Sequence, residues 1–352
     1  MPAETIHLNT VLKYLLISTI IILLLYYGQT LFVPLFYGLF IAVVLYPVCH
    51  WLEQHRVPKS IAVAISLCIV IVLFAALVAL LVLEFNSFSS DLPELKAKAG
   101  PAFTDLQQWI AGNINISIES QNEWWQHTAQ KLSDNSGTLL AGTLNKTASG
   151  LFLLFIIPVF AALFLYNRSD FILFLETIAG EKFNSNLHCI LHQTIHTYFH
   201  FIKGMGFVYI IVGALNSIGL LALGIKHAIL FGFLTAVMTI IPYIGIIISA
   251  LLPIAVAWIT KDSIWYPVGV VAVFTFVQYL EANVIFPRVV AAQLNVSTWA
   301  TLIAVIAGGI LWGVSGMILF IPFVALLKMM SGYIPEWEPL NILLRRSNET
   351  KK

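Results

Sequence analysis

The sequence predicts an all-α, polytopic membrane protein, and three observations carry that reading. The 352 residues are 59% hydrophobic and only 10% charged, with a mean hydropathy of +0.91; a soluble domain carries about 25% charged residues. Apolar stretches of roughly 20 residues, the length that crosses a ~30 Å hydrocarbon core as a helix, recur along the chain. Two further stretches, 228–260 and 289–327, are too long for one crossing and are interrupted by Pro and Gly. A straight helix through the first would reach ~50 Å. The expected architecture is about six full spans plus two broken or re-entrant helical runs (eight spans if both runs cross), with a small helical extramembrane domain.

Residues 1–83 form an N-terminal three-span region. Tyr14–Leu52 breaks at Gly28-Gln29-Thr30, giving two spans joined by a tight turn, and Ser60–Leu83 is the third. The first apolar segment runs on into a second with no small-residue cleavage site, which predicts an uncleaved anchor. Residues 84–149 are polar and too long for a simple loop, so they are read as an extracytoplasmic (periplasmic) helical domain. Trp109, Trp124 and Trp125 suit docking at the membrane interface. Residues 150–166 are the fourth span. In 167–203, Ile190, Leu191, Ile195, Phe199 and Ile202 recur at helical spacing, which predicts a cytoplasmic amphipathic helix lying on the membrane or on the protein. Residues 204–330 form a C-terminal transport core holding spans Gly204–Ile225 and Ile264–Phe286 and both broken runs, and 331–352 is a cytoplasmic tail.

Orientation follows from Lys and Arg in short loops. Arg56 and Lys59, then Arg168, Lys182 and Lys203, then the basic tail lie inside, so both termini are cytoplasmic. Either both long runs cross with kinks, or both are hairpins that each follow a full span. Arg288 is outside in the first case and inside in the second, and the second agrees better with the positive-inside rule. Gly232 precedes Ile241-Pro242-Tyr243 at nearly the distance at which Gly313 precedes Ile321-Pro322-Phe323. Interrupted segments in matching positions point to a transporter site.

The net charge of +1 is uninformative about partners, and no long basic block points to nucleic acid. Cys49, Cys68 and Cys189 show no pairing pattern for a disulfide framework. Glu281 is the sharpest chemical candidate, with Gln278 one turn before it, Asn283 two residues after it, and Arg288 as a possible ion-pair partner. A carboxylate at the middle of a span costs ~2.5–3.5 kcal/mol on insertion scales, so it faces protein or water, as a proton- or cation-coupled site requires. Asn216 and Ser217 lie mid-span, where amides contact ligands or join helices. Pro242, Tyr243 and Gly245 fall where the chain cannot be regular helix, so Tyr243 either lines a pathway or satisfies freed backbone groups. His188, His192, His196 and His200, four residues apart, form one stripe that suits pH or metal sensing or is simply a solvated face. Gly313-Val314-Ser315-Gly316 has the form of an intramembrane serine protease motif, but no His base follows position 227. There is no HExxH, P-loop or GxGxxG, so no enzyme and no cofactor is expected.

The block Gly224–Pro253, GIKHAILFGFLTAVMTIIPYIGIIISALLP, resembles the signature of the autoinducer-2 exporter (AI-2E) family, the PerM-like permeases. Glu281–Val290 and the glycines 308, 309, 313 and 316 with Pro322 resemble its later blocks. The family's Arg-Gly-Gln before span five is Lys203-Gly204-Met205 here, so a role for the glutamine does not carry over. The resemblance implies a permease of the bacterial inner membrane that exports a small solute and forms a homo-oligomer; some members are linked to a quorum-sensing signal, others to sodium–proton exchange. The expected function is a secondary exporter of an autoinducer-2-like signal or other small metabolite, coupled to H+ or Na+. Na+/H+ antiport and a non-transporting scaffold for envelope or division partners are the alternatives. The lipid bilayer is the surrounding partner.

Overall fold

The computed structural model describes residues 8–134, 136–241, 244–261, 263–290 and 296–346. Among these the regular structure is helical, and the β-type pairing is an isolated bridge, Val296 with Arg345. The chain divides into two compact units. The first comprises Met1–Leu67, Ile156–Ile202 and Gln293–Lys352; the second comprises Cys68–Phe155 and Lys203–Ala292.

Helices α1 (Leu8–Tyr27) and α2 (Gln29–Gln54) are separated by Gly28 alone. Its backbone (φ −85°, ψ 10°) stays close to helical, and helical bonds enter it from Leu24 and leave it to Phe32. The chain therefore bends here, where a multi-residue turn was expected. A Cβ at Gly28 would fall 2.6 Å from the Phe32 ring, which is why glycine occupies the bend. Helix α3 (Lys59–Ile114) is 56 residues long. Its apolar part ends at Leu83, and it continues as the first limb of the polar stretch. Helix α4 (Ile118–Asp134) packs back on it, with Gln107 Nε2 donating to Asn122 Oδ1 at 2.7 Å. Helix α5 (Ser136–Tyr166) returns through apolar sequence and bends by 68° into α6 (Arg168–Ala179). At that bend Arg168 donates to the Glu53 carboxylate and sits 5.3 Å over the Tyr46 ring.

Helix α7 (Glu181–Ala222) joins the amphipathic segment and the fifth span into one rod of 42 residues. The amphipathic half rests on protein: Leu187, Ile190, Thr194 and Tyr198 are buried, and the Tyr198 hydroxyl donates to the Pro322 carbonyl. The chain continues through α8 (Ala228–Met238), α9 (Ile244–Thr260) and α10 (Trp265–Leu280). A π-helical turn, Glu281–Ile285, leads into α11 (Phe286–Val289). Then come α12 (Thr298–Ser331) and the short α13 (Glu338–Leu344). Among the described residues, five helices are long and apolar enough to cross a bilayer, with a sixth candidate in the bent pair α5–α6.

Both over-long runs are helical hairpins. In the second unit, Leu230 and Phe231 near the start of α8 share a core with Val256 and Ala257 near the end of α9. Lys226 and His227 before α8 line the same cavity as Thr260 and Lys261 after α9. The two ends of the run therefore lie together, which a kinked single crossing cannot produce. In the first unit, α12 departs from helical geometry at Trp312 (φ −131°, ψ 18°) and Gly313 (φ 59°, ψ −140°). Gly308 then meets Gly316 so closely that a Cβ on Gly308 would fall 2.3 Å from the Gly316 carbonyl oxygen. Both ends of α12 reach α13: Ser297 N–H donates to the Leu344 carbonyl at 2.8 Å, and Gly332 lies against Asn341. Although α12 is long enough to cross as one rod, its arms reverse and do not form one crossing.

Candidate transport site

The site is built on the pairing of α7 with α10 in the second unit. A Cβ on Gly204 would fall 2.7 Å from the Val289 carbonyl, and one on Gly219 would fall 2.4 Å from the Val273 side chain. These contacts fix an antiparallel register in which Asn216 runs alongside the later turns of α10. Glycine at both points lets the backbones approach closely, as small residues do between membrane helices. Helix α8 closes on α7 in the same way: a Cβ on Gly232 would overlap Ser217, and the Ser217 hydroxyl turns to its own helix, donating to the Gly213 carbonyl at 2.8 Å.

At the end of α10 the helix widens. Pro287 has no N–H to offer the Asn283 carbonyl, and its ring crowds that turn. The chain answers with a π turn, in which the Phe286 N–H bonds the Glu281 carbonyl five residues back. Single π turns inside α-helices occur frequently at functional sites. Glu281 opens this turn and is buried, at 8% exposure. Among the described residues its Oε2 has no hydrogen-bond partner, nor has Oε1 of Gln278 one turn earlier. Asn216 is fully buried, and among the described residues neither its Oδ1 nor its Nδ2 is partnered. Each such atom costs about 1–3 kcal/mol when buried without a partner. Tyr209 on α7 lies near enough to feel the Glu281 charge; nothing in the local sequence marks it.

The structure thus brings Glu281, Gln278 and Asn216 onto the α7–α10 pair and leaves other candidates apart. Asn283 is exposed, its amide donating to the Tyr279 carbonyl at 3.0 Å. Arg288 is exposed, and among the described residues no ion pair joins it to Glu281, because the π turn separates them. Gly245 seals the first hairpin: a Cβ there would fall 1.7 Å from the Met238 carbonyl oxygen. Pro242 and Tyr243 lie outside the described residues. The stripe His188, His192, His196 and His200 faces away from the buried side of α7. His188 pairs with Glu176 at 3.0 Å, and the His196 and His200 rings lie 4.1 Å apart. Among the described residues, no three His, Cys, Asp or Glu side chains converge as metal ligands.

Glu281, Gln278 and Asn216 each carry a buried oxygen without a partner among the described residues, the ligand type that protons and hard cations take. Stacked membrane-crossing helices, two helical hairpins and buried, unpartnered polar groups define the class of multi-pass membrane transport proteins. The AI-2E family transporter profile matches residues 15–336, and the chain belongs to that family. It is similar to the AI-2 transport protein TqsA of Escherichia coli K12, 23% identical over 359 residues that cover 99% of this chain and 100% of TqsA. It is also similar to YrrI of Bacillus subtilis 168 (24% over 317 residues, 86% of each chain). YhhT of Escherichia coli K12 is likewise 24% identical over 313 residues, covering 89% of this chain and 87% of YhhT.

Proposed function

We propose that the protein is a secondary transporter of the bacterial inner membrane that exports a small solute in exchange for a proton or cation moving down its gradient, with Glu281 as the coupling group. The observation that carries this is the buried Glu281 carboxylate at the head of a π turn, with one oxygen unpartnered among the described residues. Carboxylates inside membrane helices mark ion and proton pathways. The two hairpins support the reading, since transporters place irregular backbone where it lines a pathway. The name of TqsA supports an autoinducer-2-like signal or another small metabolite as the solute class. Homo-oligomeric assembly and cytoplasmic termini complete the proposal; with hairpins, Arg288 is cytoplasmic.

The oxygen ligand type of these buried groups favours Na+/H+ antiport as a second reading. Purified protein in liposomes with an imposed proton gradient tests both. Gradient-driven flux should fall at least tenfold in Glu281→Gln and lose its dependence on pH. Full activity with an unchanged pH profile would remove Glu281 from the mechanism. Proton release on addition of sodium, abolished by the same substitution, selects antiport.

A further inference from the structure

A cavity of about 180 Å³ in the second unit lies apart from Glu281. Three segments far apart in sequence build it: the polar continuation of α3, the loop between α7 and α8, and the end of α9. Its floor is apolar, from Leu95 and Val256, and its polar wall carries Lys98, Lys226, Lys261 and His227 against Asp91 and Glu94. Both carboxylates are engaged. Asp91 accepts from His227 at 3.1 Å and from Lys226 at 3.4 Å. Glu94 pairs with Lys98 at 2.9 Å and approaches Lys226 at 3.8 Å. Lys261 differs. Its ammonium sits 5.0 Å over the Tyr266 ring and faces Gly224 across the loop, and among the described residues no carboxylate pairs with it. Among the described lining residues three lysines face two carboxylates, and Lys261 is the lysine that no carboxylate pairs.

The loop is shaped to hold this arrangement. Gly224 (φ 64°) and His227 (φ 58°) are both left-handed. A histidine in that conformation is strained and persists only where its surroundings fix it. Here Asp91 bonds its ring and Phe88 packs edge-on against it at 5.5 Å. The result is a preformed pocket that spends its carboxylates on placing Lys226 and His227.

We propose that this cavity binds the oxyanion group, phosphate or carboxylate, of a small anionic molecule between Lys261 and Lys226, with the carbon part on the Leu95–Val256 floor. At roughly 30 Å³ per water, the space holds about six waters, room for an anion the size of phosphate. A soluble anion and a lipid headgroup present the same group. Calorimetric titration of inorganic phosphate into the full chain in detergent tests the site. One saturable site is expected, weakened at least tenfold by Lys261→Gln and by Lys226→Gln and kept by Lys261→Arg. Helical circular dichroism of each variant separates loss of the site from loss of the fold. In phosphatidylcholine nanodiscs with and without phosphatidylglycerol, competition by the anionic lipid assigns the site to a headgroup; its absence assigns it to a soluble anion. No saturable phosphate binding, or binding that both glutamine variants leave unchanged, overturns the proposal. No transport enters the measurement, so its failure leaves the Glu281 reading intact.

Discussion

The two hairpins reach the same shape by opposite means. The α8–α9 hairpin turns through a short loop that begins at Thr239. Its end is tightened by bonds from Ile240 and Ile241 back to the carbonyls three residues before them, which satisfy orphan groups at a helix terminus. Its arms then close because Gly245 presents no side chain to the Met238 carbonyl. The α12 hairpin has almost no loop. It reverses at Trp312 and Gly313, and only the glycine can hold φ 59° with ψ −140°. Around it Phe36 stacks on Trp312 at 5.8 Å and meets Phe323 edge-on at 5.0 Å. One hairpin thus depends on close backbone approach beside an aliphatic core. The other depends on one left-handed residue beside an aromatic one, and the two should break differently.

Gly245→Ala should do the most damage. A methyl 1.7 Å from a backbone oxygen cannot be relieved by a rotamer change, so the arms must part. The expected cost is about 3 kcal/mol, seen as a sharp fall in melting temperature in detergent and as lost flux in liposomes. A variant that melts with the parent would mean that the arms do not close at this point. Gly313→Ala is the matching test in the other hairpin. A Cβ there meets nothing within 4 Å, so the cost is conformational alone, about 1–3 kcal/mol. If Gly313→Ala proved as damaging as Gly245→Ala, packing and not backbone conformation would control both turns.

The existence of the hairpins was legible in the sequence, because 228–260 and 289–327 exceed a bilayer and carry Pro and Gly. Their correspondence was not. Of the repeated Ile-Pro-aromatic, the first proline lies outside the described residues, and Pro322 sits inside the second arm of α12. Gly232 packs on Ser217 while Gly313 makes a turn. The shared shape therefore comes from different residues, and the echo does not mark equivalent positions. Glu281 and Gln278 were visible as a polar pair one turn apart. The pairing of α7 with α10 that buries them, and the meeting of Asp91 with His227, depend on tertiary packing between residues far apart in sequence, which no local periodicity encodes. Continuity of α7 through Gly204 was hidden for a related reason. A glycine flanked by a polar and an apolar segment reads as a boundary, whereas here it serves the close approach to Val289.

The smallest expected effect probes what braces the α12 turn. The Trp312 indole N–H donates to the Leu25 carbonyl at 2.9 Å. Leu25 lies in the last turn of α1, just before the bend at Gly28, where carbonyls lose their helical donors. Trp312→Phe keeps an aromatic ring in the cluster with Phe36 and Phe320 but removes the donor. The loss should be about 1 kcal/mol, the typical net worth of one hydrogen bond, read as a shift of a few degrees in melting temperature with the turn intact. Adding Gly28→Ala to Trp312→Phe decides whether the bond acts through the bend. If it does, the second substitution should cost less in the Trp312→Phe background than alone, because the bend it disturbs no longer presents a bonded carbonyl. If the two costs add, the bond braces the hairpin only locally, and the α12 turn stands on Gly313 and its aromatic packing.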